Sequence, residues 1–130
     1  MEPPNRVNKM KKVDKPWGYE EILLESSACL VKRLVLKDET SLHYHSVRNE
    51  VLIPVNGEGL IMLDGNVLSL VPFTPIYVKR GVKHKIVPKE FLEIIEVSDS
   101  SIDDVVRISD KHKRTTTQES ACNSLGHYTF

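Results

Sequence analysis

His43 and His45 stand at alternate positions in Ser41-Leu42-His43-Tyr44-His45, and Glu50 follows the short polar turn 46–49. At a strand's period of two, both imidazoles project from one face while Leu42 and Tyr44 project from the other. A hairpin after His45 brings the Glu50 carboxylate back beside them. Two neutral imidazoles and a carboxylate suit a divalent transition metal, namely zinc, manganese, iron, nickel or cobalt, better than magnesium or calcium, which prefer oxygen ligands. His84, in Gly81-Val82-Lys83-His84, is the candidate for a further nitrogen ligand. A histidine pair alone also fits a half-buried polar pair in a strand. The longer pattern of His-x-His, a carboxylate one turn on, Asn56-Gly57 and a second Gly-x-x-His segment favours metal.

The elements that must position these residues read as short strands. Runs rich in β-branched and aliphatic residues span 19–24, 29–36, 40–45, 51–55, 59–63, 67–70, 76–78, 84–87 and 92–97. Turn signals separate them at 37–39, 56–57, 64–66 and 72–75. Asp64-Gly65, between Ile61-Met62-Leu63 and Val67-Leu68, is the clearest hairpin. Even spacing with no amphipathic helix predicts an antiparallel sandwich or barrel. Pro54 argues against full pairing at its place in a strand. After Val97 the pattern changes to Ser98-Asp99-Ser100-Ser101-Ile102-Asp103-Asp104, read as a helix start or capped turn on which Val105, Val106 and Ile108 pack back.

The 130 residues suit one domain, and 40% hydrophobic content supports a single core. Basic and acidic residues balance at 18 each, which excludes a global field for nucleic acid or an anionic membrane, so an anionic ligand needs local cations. No run is long and apolar enough for a membrane span or a secretory signal, and two cysteines, Cys29 and Cys122, are not spaced for metal. The expectation is a cytoplasmic protein without a structural disulfide. Residues 1–14 are expected to form a flexible basic arm, 15–114 the domain and 115–130 a flexible tail. Trp17, the single tryptophan, lies between Pro16 and Gly18 and is either a lid on the core or a stacking wall for a ligand.

The blocks His43, His45, Glu50, Gly57 and Gly81 to His84 resemble the cupin pattern. Within the cupins the chain is most similar to the C-terminal domain of type II mannose-6-phosphate isomerases, through Lys15-Pro16-Trp17-Gly18-Tyr19, the 41–50 block, the 78–84 block, and Leu92 to Val97 with Asp103-Asp104-Val105-Val106-Arg107. The resemblance implies an all-β double-stranded β-helix, or jelly-roll barrel, with a short C-terminal helical or turn segment. His43, His45, Glu50 and His84 would hold one divalent metal with positions left open for substrate. The sequence departs from the pattern at Pro72-Phe73, Lys79 and Pro88, and His43 stands where bifunctional members commonly carry Gln. Their guanylyltransferase half has no counterpart in these residues, so nucleotide transfer is not expected.

The implied activity is aldose-ketose isomerisation of a phosphorylated sugar such as mannose 6-phosphate, with the metal as Lewis acid. Arg48 is the catalytic and phosphate-binding candidate, and Arg80, Lys83 and Trp17 are further substrate contacts. No general base is identifiable, and Arg107 is expected to fix the C-terminal segment through Asp103 or Asp104. A metal-dependent dioxygenase and a non-catalytic carbohydrate-binding or regulatory cupin are the alternatives. A homodimer is expected, paired through an open sheet edge at strand 19–24 with the arm before it.

Overall fold

The structure is a computed structural model that describes residues 11–99 and 104–114. Nine strands make up its regular structure: β1 (Lys11–Lys15), β2 (Gly18–Glu25), β3 (Leu30–Leu36), β4 (Leu42–His45), β5 (Glu50–Leu63), β6 (Asn66–Ser69), β7 (Ile76–Val78), β8 (His84–Ser98) and β9 (Val105–Ser109). Every pairing is antiparallel. One path runs β1-β2-β3-β8-β4-β9, and β5 joins it through β8 while also pairing with β6 and β7. Among the described residues there is no helix.

The sheet curls because its two longest strands bend. β5 and β8 pair over almost their whole lengths, with register shifts between Pro54 and Asn56 and between Gly57 and Gly59. An extra residue on one strand bends it and sharpens its twist, which closes a sheet on itself. The expected strands 51–55 and 59–63 are therefore one bent strand, and so are 84–87 and 92–97. Asn56-Gly57 is a bulge and not a hairpin turn. Pro54 sits directly before the bulge, in keeping with its inability to donate to a ladder. The Asp64-Gly65 hairpin forms as expected. Both turn residues have positive φ, 50° and 82°, as a two-residue turn matched to strand twist requires.

Two other expectations change. Val105 to Ser109 is strand β9, paired with β4, and a turn follows at 111–112. Its alternation, with Val106 fully buried, lets it extend the sheet where a helix would have to break the ladder. Lys11–Lys15 is strand β1, paired with β2 and largely exposed. Residues 1–10, 100–103 and 115–130, which include the rest of the expected arm, the expected helix start and the tail, lie outside the described residues.

The interior has two regions. Trp17, Leu34, Leu36, Leu52, Ile61, Leu70, Val78, Ile86, Leu92 and Ile94 form one apolar cluster. Polar side chains are buried as well: Glu20 on β2, His45 on β4, Glu50 on β5, and His84, Glu96 and Ser98 on β8. β4 meets β8 at a single pair, His43 opposite His84, whereas it pairs with β9 at four positions.

Candidate metal centre and cavity

The period-two reading of β4 holds: His43 and His45 share a face, and the one β4–β8 pair sets His84 opposite His43. One nitrogen from each of His43, His45 and His84 lies within 4.8 Å of the others. Glu50, at the start of β5, brings Oε2 to 3.2 Å from His45 Nε2 and Oε1 to 3.7 Å from His84 Nε2. The turn between them is fixed from outside. The Val47 and Arg48 amides donate to Asp104, the Asn49 amide and side chain donate to Asp99, and the Arg80 amide donates to Asn49 Oδ1. The Gly81 amide donates to the His45 carbonyl at 2.7 Å, which ties the two ligand segments together.

The ring orientations fit a metal. His43 Nδ1 is 2.8 Å from the Ser41 carbonyl oxygen and His84 Nδ1 is 3.0 Å from that of Val82. A carbonyl oxygen only accepts, so each Nδ1 carries the hydrogen and each Nε2 presents its lone pair inward, as ligating histidines are held by their surroundings. His45 Nδ1 lies 3.7 Å from Asp104 Oδ1. Burial, followed by the neighbouring imidazoles His84 and His45, lowers the His43 pKa well below its usual 6.5. Burial and then the Arg48 charge lower that of His45. All this favours neutral rings, the form that binds metal.

Around the imidazoles is a cavity whose lining includes five cationic side chains, Lys15, Lys32, Arg48, Arg107 and Arg114, and three carboxylates, Glu20, Glu50 and Glu96. Burial first, then the Glu50 charge, raises the Glu96 pKa to about 7, so near neutral pH this carboxyl holds a proton part of the time. The lining is thus cationic on balance. Arg48 is only 5% exposed, with Nε 3.0 Å from Glu50 Oε2 and 3.7 Å from Asp104 Oδ1, so it braces the carboxylates as well as lining the cavity. Trp17 is packed in the core cluster and also lines the cavity.

Arg80 and Lys83 are not brought to this cavity. Both are exposed on the 79–83 turn, away from its lining, because the Gly81–His45 contact pins the turn outside the sheet. Lys15, Glu20, Lys32, Glu96, Arg107 and Arg114 are the lining charges that the sequence did not single out for the site. Arg107 is the exception in kind, since it was read as a structural arginine; it stands on β9 opposite His43 and lines the cavity. Arg114 is held by Asp110, with Nε 2.8 Å from Oδ2. Burial alone would raise the Asp110 pKa, but the Arg114 side chain and the amides of Arg114 and His112 outweigh it and hold it at about 2.

That depression has a sign that can be tested. A carboxylate with a lowered folded pKa contributes stability above its usual 3.8, and this is lost as pH falls through about 2. Asp110→Asn is therefore expected to cost about 2 kcal/mol in denaturant titrations at pH 7, with the difference from wild type shrinking between pH 4 and 2. A cost independent of pH would show that charge is not what the carboxylate contributes.

A curled antiparallel sheet with imidazoles converging inside it is the cupin arrangement. The fold is shared with an RmlC-like cupin from Shewanella frigidimarina NCIMB 400, at TM-score 0.65 and 20% identity over 72% of this chain and 86% of the other. It is also shared with a Streptomyces PAC13 variant solved with uridine, at TM-score 0.70 and 11% identity over 85% of this chain and 93% of the other. The chain belongs to the mannose-6-phosphate isomerase C-terminal family, whose model matches residues 3–110. Among curated proteins it is 24% identical over 113 residues to a mannose-1-phosphate guanylyltransferase of Klebsiella pneumoniae, covering 80% of this chain. It spans 24% of that relative's length.

Proposed function

We propose that this cupin binds one divalent transition metal through His43, His45, His84 and Glu50, and that it isomerises, or at the least binds, a phosphorylated hexose of the mannose 6-phosphate kind. The observation that carries the reading is the set of three convergent imidazoles, those of His45 and His84 buried and that of His43 half-buried, on the wall of a cavity with a cationic lining. The metal, when bound, supplies a Lewis acid for the sugar oxygens. The protein's own part is to hold the sugar. Trp17 supplies an apolar wall, and Arg48 carries the catalytic and substrate-contacting role while bracing Glu50. Family membership supports this reading.

Calorimetry of metal-loaded protein with mannose 6-phosphate, fructose 6-phosphate and the free sugars, beside an assay for their interconversion, tests it. Phosphorylated sugars are expected to bind more tightly than free ones. Arg48→Ala is expected to weaken hexose phosphate binding at least tenfold, roughly the 1.5–3 kcal/mol of one charge-assisted hydrogen bond, and Arg48→Lys to recover part of it. The alanine variant also leaves Glu50 and Asp104 buried without their cation, so it is expected to melt lower than the lysine variant. Equal affinity for phosphorylated and free sugar would overturn the proposal.

The homodimer proposed with it would not be joined through strand 19–24 itself. β2 is paired on both sides, by β1 and β3, and cannot accept another strand. Exposed Val67, Leu68, Val71 and Phe73 around β6 offer an apolar surface instead. Light scattering at micromolar concentration is expected to give twice the chain mass, and a monomer would count against the assembly.

A further inference from the structure

We propose that Glu96 accepts a hydrogen bond from a ring hydroxyl of the cavity's ligand and so sets which sugar is taken and which way round it lies; this rests on the sugar-phosphate reading above. Glu96 stands on β8 opposite Lys32 of β3 and Leu52 of β5, and all three residues line the cavity. It is 6% exposed, and among the described residues its Oε2 has no hydrogen-bond partner. A hydrogen shared with Glu50 satisfies one oxygen of the carboxyl at most. Native proteins rarely leave a buried acceptor without a donor, and on a cavity wall a ligand is the group placed to supply one. Glu50, which contacts His45 and His84, lies opposite Ser98, two positions from Glu96 on the same face of β8. Diagonal neighbours on one face of a sheet are roughly 7–8 Å apart, so a hexose with oxygens at the imidazoles can bring another of its hydroxyls to Glu96.

The surroundings select the kind of donor. A phosphate dianion has no hydrogen to give and is repelled by a carboxylate. An ammonium group would meet the five cationic side chains of the lining. A neutral hydroxyl incurs neither penalty. A carboxyl oxygen accepts its hydrogen whether Glu96 is ionised or protonated, so the contact needs no change of charge. The ligand is thereby turned with its hydroxyl-bearing carbons toward Glu96 and its anionic group away.

Trp17, the single tryptophan, lines the same cavity and reports on its occupancy by fluorescence. Mannose 6-phosphate, its monodeoxy analogues, mannose and inorganic phosphate would be titrated into wild type, Glu96→Met and Glu96→Gln at matched metal content. Glu96→Met keeps the side-chain length and removes both acceptors. It is expected to weaken mannose 6-phosphate and mannose at least tenfold and inorganic phosphate less than twofold. Glu96→Gln keeps an amide oxygen and is expected to stay within threefold of wild type. One monodeoxy analogue is expected to bind wild type at least tenfold more weakly than its parent and to lose nothing further in Glu96→Met. Sugar affinities within twofold of wild type in Glu96→Met, an equal loss for inorganic phosphate, or wild-type affinities alike for every deoxy analogue would overturn the assignment while the sugar-phosphate reading stands. Mannose binding that depends on Glu96, in a protein that binds no hexose phosphate, would uphold the assignment and sink that reading; a wild type that binds neither sugar sinks both. Should Glu96→Met not fold, Glu96→Ala is read in its place by the same outcomes.

Discussion

Protein carrying His45→Ala together with His84→Ala is expected to retain no stoichiometric metal by elemental analysis, where wild type holds one ion per chain. The two rings come from different strands, and each offers an Nε2 within 3.7 Å of a Glu50 oxygen. Without them only His43 and the carboxylate are left of the proposed set, and Glu50 is also drawn to Arg48 at 3.0 Å. Two such ligands do not make the closed donor set of a stable site, and the Nδ1 contacts that orient the lost rings go with them. Loss of metal without loss of fold, checked by circular dichroism, is the expected pair of results. Stoichiometric metal in the double variant would mean that the imidazoles are not the site.

The second large effect is on stability. Gly57 has φ of 85°, and a Cβ built on it would lie 2.1 Å from the Phe91 carbonyl oxygen. Neither atom can swing away, because Gly57 sits in the bulge opposite Leu92, one of the fully buried core residues. Gly57→Ala is expected to cost about 3 kcal/mol or more in equilibrium unfolding, since it adds a backbone clash to an unfavourable φ. Gly65→Ala is the internal control. Its φ of 82° is similar, but nothing lies within 4 Å of the added carbon, so about 1 kcal/mol is expected. Equal costs at the two positions would show that the close approach to β8 does not govern the bend.

The imidazole cluster was legible in the sequence because three rules agree there: alternation places His43 with His45, the polar 46–49 turn returns Glu50, and the glycine segment brings up His84. The bends were not. Asn56-Gly57 has the composition of a hairpin turn, and only the pairing of β5 with β8 on both sides of it reveals a bulge in a continuous strand. The charged wall was illegible for a related reason. On β8 the inward row is Leu92, Ile94, Glu96 and Ser98, and on β2 Glu20 points inward while Glu21 does not share its burial, so polar residues occupy the row that alternation assigns to a core. A lone sequence gives such residues to solvent. Arg107 lines the cavity from β9, and nothing local in the sequence says that β9 pairs with β4. Lys11–Lys15 reads as a solvated run, since its pairing with β2 is carried by backbone groups that leave no mark in side-chain chemistry.

The divided interior bears on how such a barrel can change over time. Trp17, Leu34, Leu52 and Ile86 belong to the apolar cluster and also line the cavity, so they form a seam between the part that holds the sheet together and the part that meets a ligand. Beyond the seam, Leu36, Ile61, Leu92 and Ile94 are fully buried and do not line this cavity. Exchanges among Lys15, Lys32, Arg107 and Arg114 leave that packing alone. A lineage can therefore exchange the groups that choose a ligand while the residues that keep the sheet curled stay in place, and one barrel can drift among ligands of different chemistry without passing through an unfolded ancestor.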